Sequence, residues 1–282
     1  MDSMWMYDFH LFYLGGKAVL MGLSPSAIWD FNGPYPLAVL FAPFALLPEP
    51  VAYAVFVALN LFFLWKVMGK RMLWALLSFP VLFTLFVGQI DLLLALAIPL
   101  GTPFSLALAL AKPQVGFVLI PWLARRLDAR GWLKAIAVGA AFLALCFLLR
   151  PTWVSEWMSR QPGLDFYSKH ASNFFWLIPS QSGMRATITV VMALAALLPG
   201  FFLREKRASW SLLQLFQPLT NIYSVSVLAE WFGPLELALS WAAVFIAGGD
   251  IHNGMPMLLI PLSLMLRAWW QHRQDRLSAA ES

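Results

Sequence analysis

The sequence predicts an all-α, polytopic integral membrane helix bundle, and two observations predict it: an apolar composition, and charges gathered into a few short stretches. Apolar side chains make up 61% of the 282 residues and charged ones 12%, against about 45–50% and about 25% in an ordinary soluble domain. From Met72 to Ala111 the only formal charge is Asp91, and from Ala186 to Leu203 there is none. Such stretches read as membrane segments. At about 20 residues per spanning helix, the whole chain, 1–282, forms a single transmembrane domain. The net charge of +5 comes from cations lying between apolar runs, which points to a bilayer and to no nucleic-acid partner. The single cysteine, Cys146, excludes a disulfide framework and a cysteine-based metal site. Residues 1–9 lack a basic stretch followed by an apolar one, so no cleavable signal peptide is expected.

Most of the Lys and Arg residues fall into four groups: Lys66/Lys70/Arg71, Arg125/Arg126/Arg130/Lys134, Arg204/Lys206/Arg207 and Arg267/Arg273/Arg276. The positive-inside rule assigns all four to the cytoplasmic side, together with the basic tail 271–282. The outer segment 1–36, the outer loop 151–183 and the turn 248–253 then face outward. That outer loop mixes Trp153, Trp157 and Trp176 with Glu156, Arg160 and Lys169, a pattern suited to short amphipathic helices at headgroup level. Prolines such as Pro43, Pro48, Pro80, Pro99, Pro113 and Pro121 punctuate the apolar runs. Each removes a backbone donor, which a bilayer tolerates only where protein or a wet cavity supplies replacement partners. The expectation is therefore about 8 to 10 spans, several broken, around a polar cavity open to the outer face. No internal repeat is evident.

In so apolar a chain, a charge within or beside a span costs about 2.5–3.5 kcal/mol and calls for a partner, a cavity or a function. Asp8 and His10 stand two residues apart; in a helix Asp8 shares a face with Phe12, and His10 points elsewhere. Asp8 is either a solvated acid or a general base at the cavity mouth, accepting a proton from a hydroxyl. Tyr35 follows a rigid Gly33-Pro34 turn, where it marks a span entrance or lines the site with its hydroxyl. Gln89 and Asp91 interrupt an uncharged stretch, so they either stabilise a helix break or line the cavity. Lys112, before Pro113-Gln114, either neutralises a lipid phosphate or snorkels to the interface. Asp250, His252 and Asn253 read as a solvated turn rather than a metal site, and Asn221 and Tyr223 as another helix break. No metal is expected, and no phosphate-binding glycine loop, Ser-His-Asp order or zinc helix is present.

Several of these residues recur in a fixed order. Asp8-Phe9 with Tyr13, Gly16 and Gly22-x-Ser24-Pro25 is followed by Tyr35-Pro36, Ala42-Pro43 and Leu46-Leu47-Pro48. Gly88-Gln89-Ile90-Asp91-Leu92-Leu93-Leu94 and Ala111-Lys112-Pro113-Gln114 complete the series. The order and spacing resemble glycosyltransferase family 87, the polyprenol-phosphate-mannose-dependent mannosyltransferases of the GT-C superfamily, over residues 7–135. The resemblance implies a GT-C-like, multi-pass enzyme of the bacterial plasma membrane. It would transfer a hexose, mannose by the likeness, from a polyprenyl-phosphate donor to a glycan or glycolipid acceptor on the outer face. The donor is a lipid-linked substrate, and no separate cofactor is implied; membrane lipids are the remaining partners. Asp8 occupies the position of the catalytic base. The candidate substrate-binding residues are His10, Tyr13, Tyr35, Gln89, Asp91, Lys112 and Gln114. Lys112, or a cation from the outer side such as Lys169 or Arg185, would stabilise the departing phosphate. Family members carry a transmembrane helix ahead of the acidic residue, so the resemblance expects such a segment upstream or an N-terminally shortened, inactive homologue. The rival class is a non-catalytic carrier or flippase for lipid-linked intermediates, in which Asp91 and Glu236 would matter more than Asp8.

Overall fold

A computed structural model describes residues 5–160, 185–203, 205–217, 221–250 and 253–281. Every regular element among them is helical. In order they are α1 Tyr7–Leu20, α2 Tyr35–Phe41, α3 Glu49–Met68, α4 Met72–Leu76, α5 Phe79–Val87, α6 Asp91–Ala97 and α7 Ser105–Ala111. There follow α8 Pro113–Arg126, α9 Ala129–Leu149, α10 Trp153–Arg160, α11 Arg185–Phe202, α12 Lys206–Phe216, α13 Pro234–Ile246 and α14 Leu259–Glu281. A 3-10 segment, Ile222–Trp231, runs between α12 and α13.

The prolines account for the shortness of most elements. Proline opens or closely follows the start of α2, α3, α5, α8 and α13, where its missing N–H is one of the unsatisfied first-turn donors in any case. Against the expected 8 to 10 spans, several of them broken, two helices among the described residues are long and apolar enough by themselves to cross a membrane, Glu49–Leu76 and Ala129–Leu149. A third span results if Phe79–Val87 and Asp91–Leu100, bent by 109° at their junction, count as one. The apolar runs are there, but proline and glycine cut them below spanning length. The basic tail is helical through Glu281, as the continuation of α14.

α9 lies at the periphery, with Leu133, Ile136 and Leu148 turned outward; a soluble surface avoids an apolar face of this kind. The interior is aromatic where α1, α2 and α3 meet. Phe9 is fully buried, with ring centroids 5.8 Å from Phe41, 5.2 Å from Tyr53 and 5.4 Å from Phe56. Gly16 lets α1 and α2 approach, since a Cβ there would stand 2.6 Å from the Phe41 carbonyl oxygen.

The two long helices carry their basic residues at opposite termini, α3 in its last turn and α9 in its first. α3 starts at Glu49, which His10 Nδ1 contacts at 2.6 Å, and reaches Lys66 about 26 Å away at 1.5 Å per residue. α9 starts beside Arg130 and ends at Arg150, bonded to Glu156. The Lys206 ammonium, paired with Glu230 at 2.5 Å, sits over the rings of Trp122, Trp210 and Trp231. Arg125 bonds the Leu203 carbonyl.

Candidate functional site

Asp8 stands in the first turn of α1, and two local features fix it. Met6 takes a left-handed conformation, φ 62°, that turns the chain into the helix, and its N–H donates to the Phe86 carbonyl at 2.9 Å. Phe9, the next residue, is locked in the aromatic core. Against this turn lies Gly88, the end of α5, with φ 78°. A Cβ at Gly88 would lie 2.3 Å from the Phe9 Cβ, so only glycine permits both the turn and the contact. This close approach brings Gln89 next to Asp8.

Gln89 is 4% exposed and Asp91 fully buried. Lys112 enters from the break between α7 and α8, where its own φ −142° and ψ 86° interrupt the helix before Pro113. Its ammonium donates to Gln89 Oε1 at 2.6 Å and to Asp91 Oδ2, and lies 5.1 Å from the centre of the Tyr223 ring. Gln89 Oε1 also accepts from the Ile90 N–H at 3.1 Å. With its oxygen so occupied, the amide leaves its NH2 to serve the Asp8 carboxylate. Asp91 Oδ1 has no hydrogen-bond partner.

These groups line a cavity of about 260 Å³ whose walls come from four parts of the chain: Tyr7, Asp8, Leu11 and Phe12; Asp30 to Pro34 with Leu37; Gln89, Lys112 and Gln114; and Asn221 and Tyr223. Burial pushes the Asp8 carboxyl up to about 6, with the Asp91 charge adding to the rise, while Lys112 and the Gln89 amide pull it partly back. Tyr7 donates to Asp30 Oδ2 at 2.6 Å, and this bond, with burial, drives its phenol up to about 12. The Asn221 amide donates to the Tyr223 hydroxyl at 2.6 Å. Chemically, the cavity offers a carboxylate whose proton affinity is matched to near-neutral proton transfer, an ammonium shared between an amide and a second acid, and a ring of amide and hydroxyl groups.

Of the sequence candidates, Asp8, Gln89, Lys112 and Gln114 line this one cavity, and Asp91 anchors Lys112 beneath it. His10, Tyr13 and Tyr35 do not line it. His10 is on the opposite side of the α1 turn, against Glu49. The Tyr13 hydroxyl donates to the Leu47 carbonyl at 2.8 Å. Tyr35 packs with Cys146 and Trp153. Asp30 and Asn32 were not singled out from the sequence, and Asn221 and Tyr223 only as a break. Their polarity at proline- and glycine-rich turns is the signal that could have marked them. Lys169, His252, Arg204, the loop residues 161–183 and the Arg185 side chain lie outside the described residues. No cluster of three or more metal-ligating side chains occurs among the described residues.

Searches against protein-family models, curated proteins and solved structures found no match.

Proposed function

We propose that this chain is a multi-pass glycosyltransferase of a bacterial plasma membrane, moving a hexose from a polyprenyl-phosphate donor to a glycan or glycolipid hydroxyl on the outer face. One observation carries the reading: Asp8, the position that the resemblance to glycosyltransferase family 87 marks as the base, shares a cavity with Gln89 and Lys112 from distant parts of the chain. The basic residues at the end of α3 and the start of α9 also support it, since the positive-inside rule gives both to the cytoplasmic face. In this reaction the ionised Asp8 takes the proton of the acceptor hydroxyl as that oxygen bonds the anomeric carbon. The bond from the anomeric carbon to the phosphate oxygen breaks, and the electron pair leaves with the polyprenyl phosphate. Lys112 supplies positive charge at the leaving group, moderated by its pairing with Asp91.

The test is incubation of membranes holding the protein with labelled polyprenyl-phosphate-mannose and candidate acceptors. Label transfer that disappears in Asp8→Asn is the expected result; full transfer by that variant would refute the role of Asp8.

A second reading, a carrier for lipid-linked intermediates, is favoured by the buried Lys112–Asp91 pair beside a 109° helix break, an arrangement transporters also use. A vesicle assay separates the two. Movement of the lipid across the bilayer that depends on Asp91 and ignores Asp8 would select the carrier.

A further inference from the structure

Outside the cavity, the densest cluster of polar bonds among the described residues surrounds Glu156 on α10. Ser24 Oγ donates to its Oε2 at 2.5 Å, Thr152 Oγ1 to its Oε1 at 2.5 Å, and the Arg150 guanidinium reaches it at 2.9 Å. One turn face away, Trp157 Nε1 donates to the Asn32 carbonyl at 2.9 Å. The partners Ser24 and Asn32 bracket a single stretch, 24–34. This stretch contributes Asp30, Phe31, Asn32, Gly33 and Pro34 to the cavity wall. On its other side it is held by Tyr7, the neighbour of Asp8, through Asp30, itself at φ 63°. The wall is thus suspended between the helix that carries Asp8 and a helix about 130 residues downstream in sequence.

We propose that Glu156 is a positioning residue: through Ser24, and with Trp157 through Asn32, it holds the 24–34 stretch in place as the outer wall of the Asp8 cavity. The stretch is seated on α1 at its middle by Phe31, buried against Gly15, while its backbone bonds, such as Ala27 N–H to Ser24 O and Ile28 N–H to Pro25 O, fix only local shape, so Ser24 and Asn32 take their outer hold from α10. A carboxylate held by three donor side chains is suited to this. The Ser24, Thr152 and Arg150 bonds hold its pKa down at about 2, which favours the charged form that makes them. The catalytic consequence rests on the function proposed above; the structural one does not.

The experiment uses the full chain in membranes with Cys146→Ser and one cysteine added at Leu11, which lines the cavity, read by reaction with a charged, membrane-impermeant thiol reagent. Glu156→Ala should speed labelling of Leu11→Cys about tenfold, the scale of one lost hydrogen bond to a charged group. Ser24→Ala, which cuts the link to the wall and leaves Glu156 with Arg150 and Thr152, should move it in the same direction by less. A control cysteine at Val118, buried in α8, should stay protected in every variant. Unchanged Leu11→Cys labelling in Glu156→Ala, or labelling of Val118→Cys alongside it, overturns the proposal; the second result would mean general loosening of the fold. In the transfer assay the freed wall should raise KM for the acceptor more than it lowers kcat. If labelling shifts as expected but the parent transfers no sugar, the glycosyltransferase reading falls and the wall assignment stands.

Discussion

Asp8 and Glu156 are carboxylates on either side of the 24–34 stretch, which is bonded to Tyr7 beside the one and directly to the other, and their environments drive them in opposite directions. At the half-buried Asp8 the loss of hydration outweighs the help of Lys112 and the Gln89 amide, and its pKa rises to about 6. Glu156 lies nearer solvent among a guanidinium and two hydroxyls, and its pKa falls to about 2. The difference shows that donors per carboxylate, weighed against water lost, decide whether an acid becomes a base for chemistry or a fixed anion for architecture.

The largest effect that would sharpen this contrast is on turnover. Asp8→Asn should reduce sugar transfer by about 100- to 10,000-fold, the span of a general base's contribution, with the protein folded as before. Next in size is the charge beneath Asp8. Lys112→Met leaves Asp91 buried without its counter-ion, which should lower stability by about 3–5 kcal/mol. The double variant Lys112→Met/Asp91→Leu should recover most of that in detergent melts while remaining inactive. If the single variant melts like the parent, the buried pair is not what holds Gln89 and Lys112 together.

Gly88→Ala should cost on the order of 1–3 kcal/mol, from a left-handed backbone and the clash with Phe9. It should lower transfer as well, since the first turn of α1 must retreat from Gln89. The smallest effect is on pH dependence, and here the two acids have opposite signs. Transfer should rise with pH through about 6, as Asp8 ionises. For stability, the folded pKa of Asp8 lies above its ordinary 3.8, so its contribution is fully present below about 4 and is lost as pH climbs through 6. Glu156 lies below its ordinary 4.5, so its contribution is present above that value and is lost as pH falls towards 2. Melting curves between pH 4 and 7 should therefore flatten in Asp8→Asn and keep their slope in Glu156→Gln.

The class of fold was legible in the sequence because helicity, apolarity and proline punctuation are all local properties. The number of spans was not, because an apolar run and a spanning helix differ by where a proline ends the helix, as at Pro113 and in the 109° turn after Val87. Asp8, Gln89 and Lys112 could be picked out since polar residues are conspicuous in such a chain. Their meeting in one cavity is a tertiary fact that spacing alone does not carry. His10, Tyr13 and Tyr35 fared differently for a simple geometric reason: closeness in sequence to Asp8, or to a turn, does not put a side chain on the same face of its helix. Ser24 and Glu156 lie 132 residues apart, and nothing local in either segment announces the other.

Where Phe9 rests on Gly88, backbone meets side-chain root with no compressible packing layer between. The neighbours of that junction, Asp8 and Gln89, are consequently held stiffly, while Gln114, Asn221, Tyr223 and Asn32 line the cavity from other parts of the chain. Engineers seeking altered selectivity should begin with those lining residues and leave the Phe9–Gly88 junction alone.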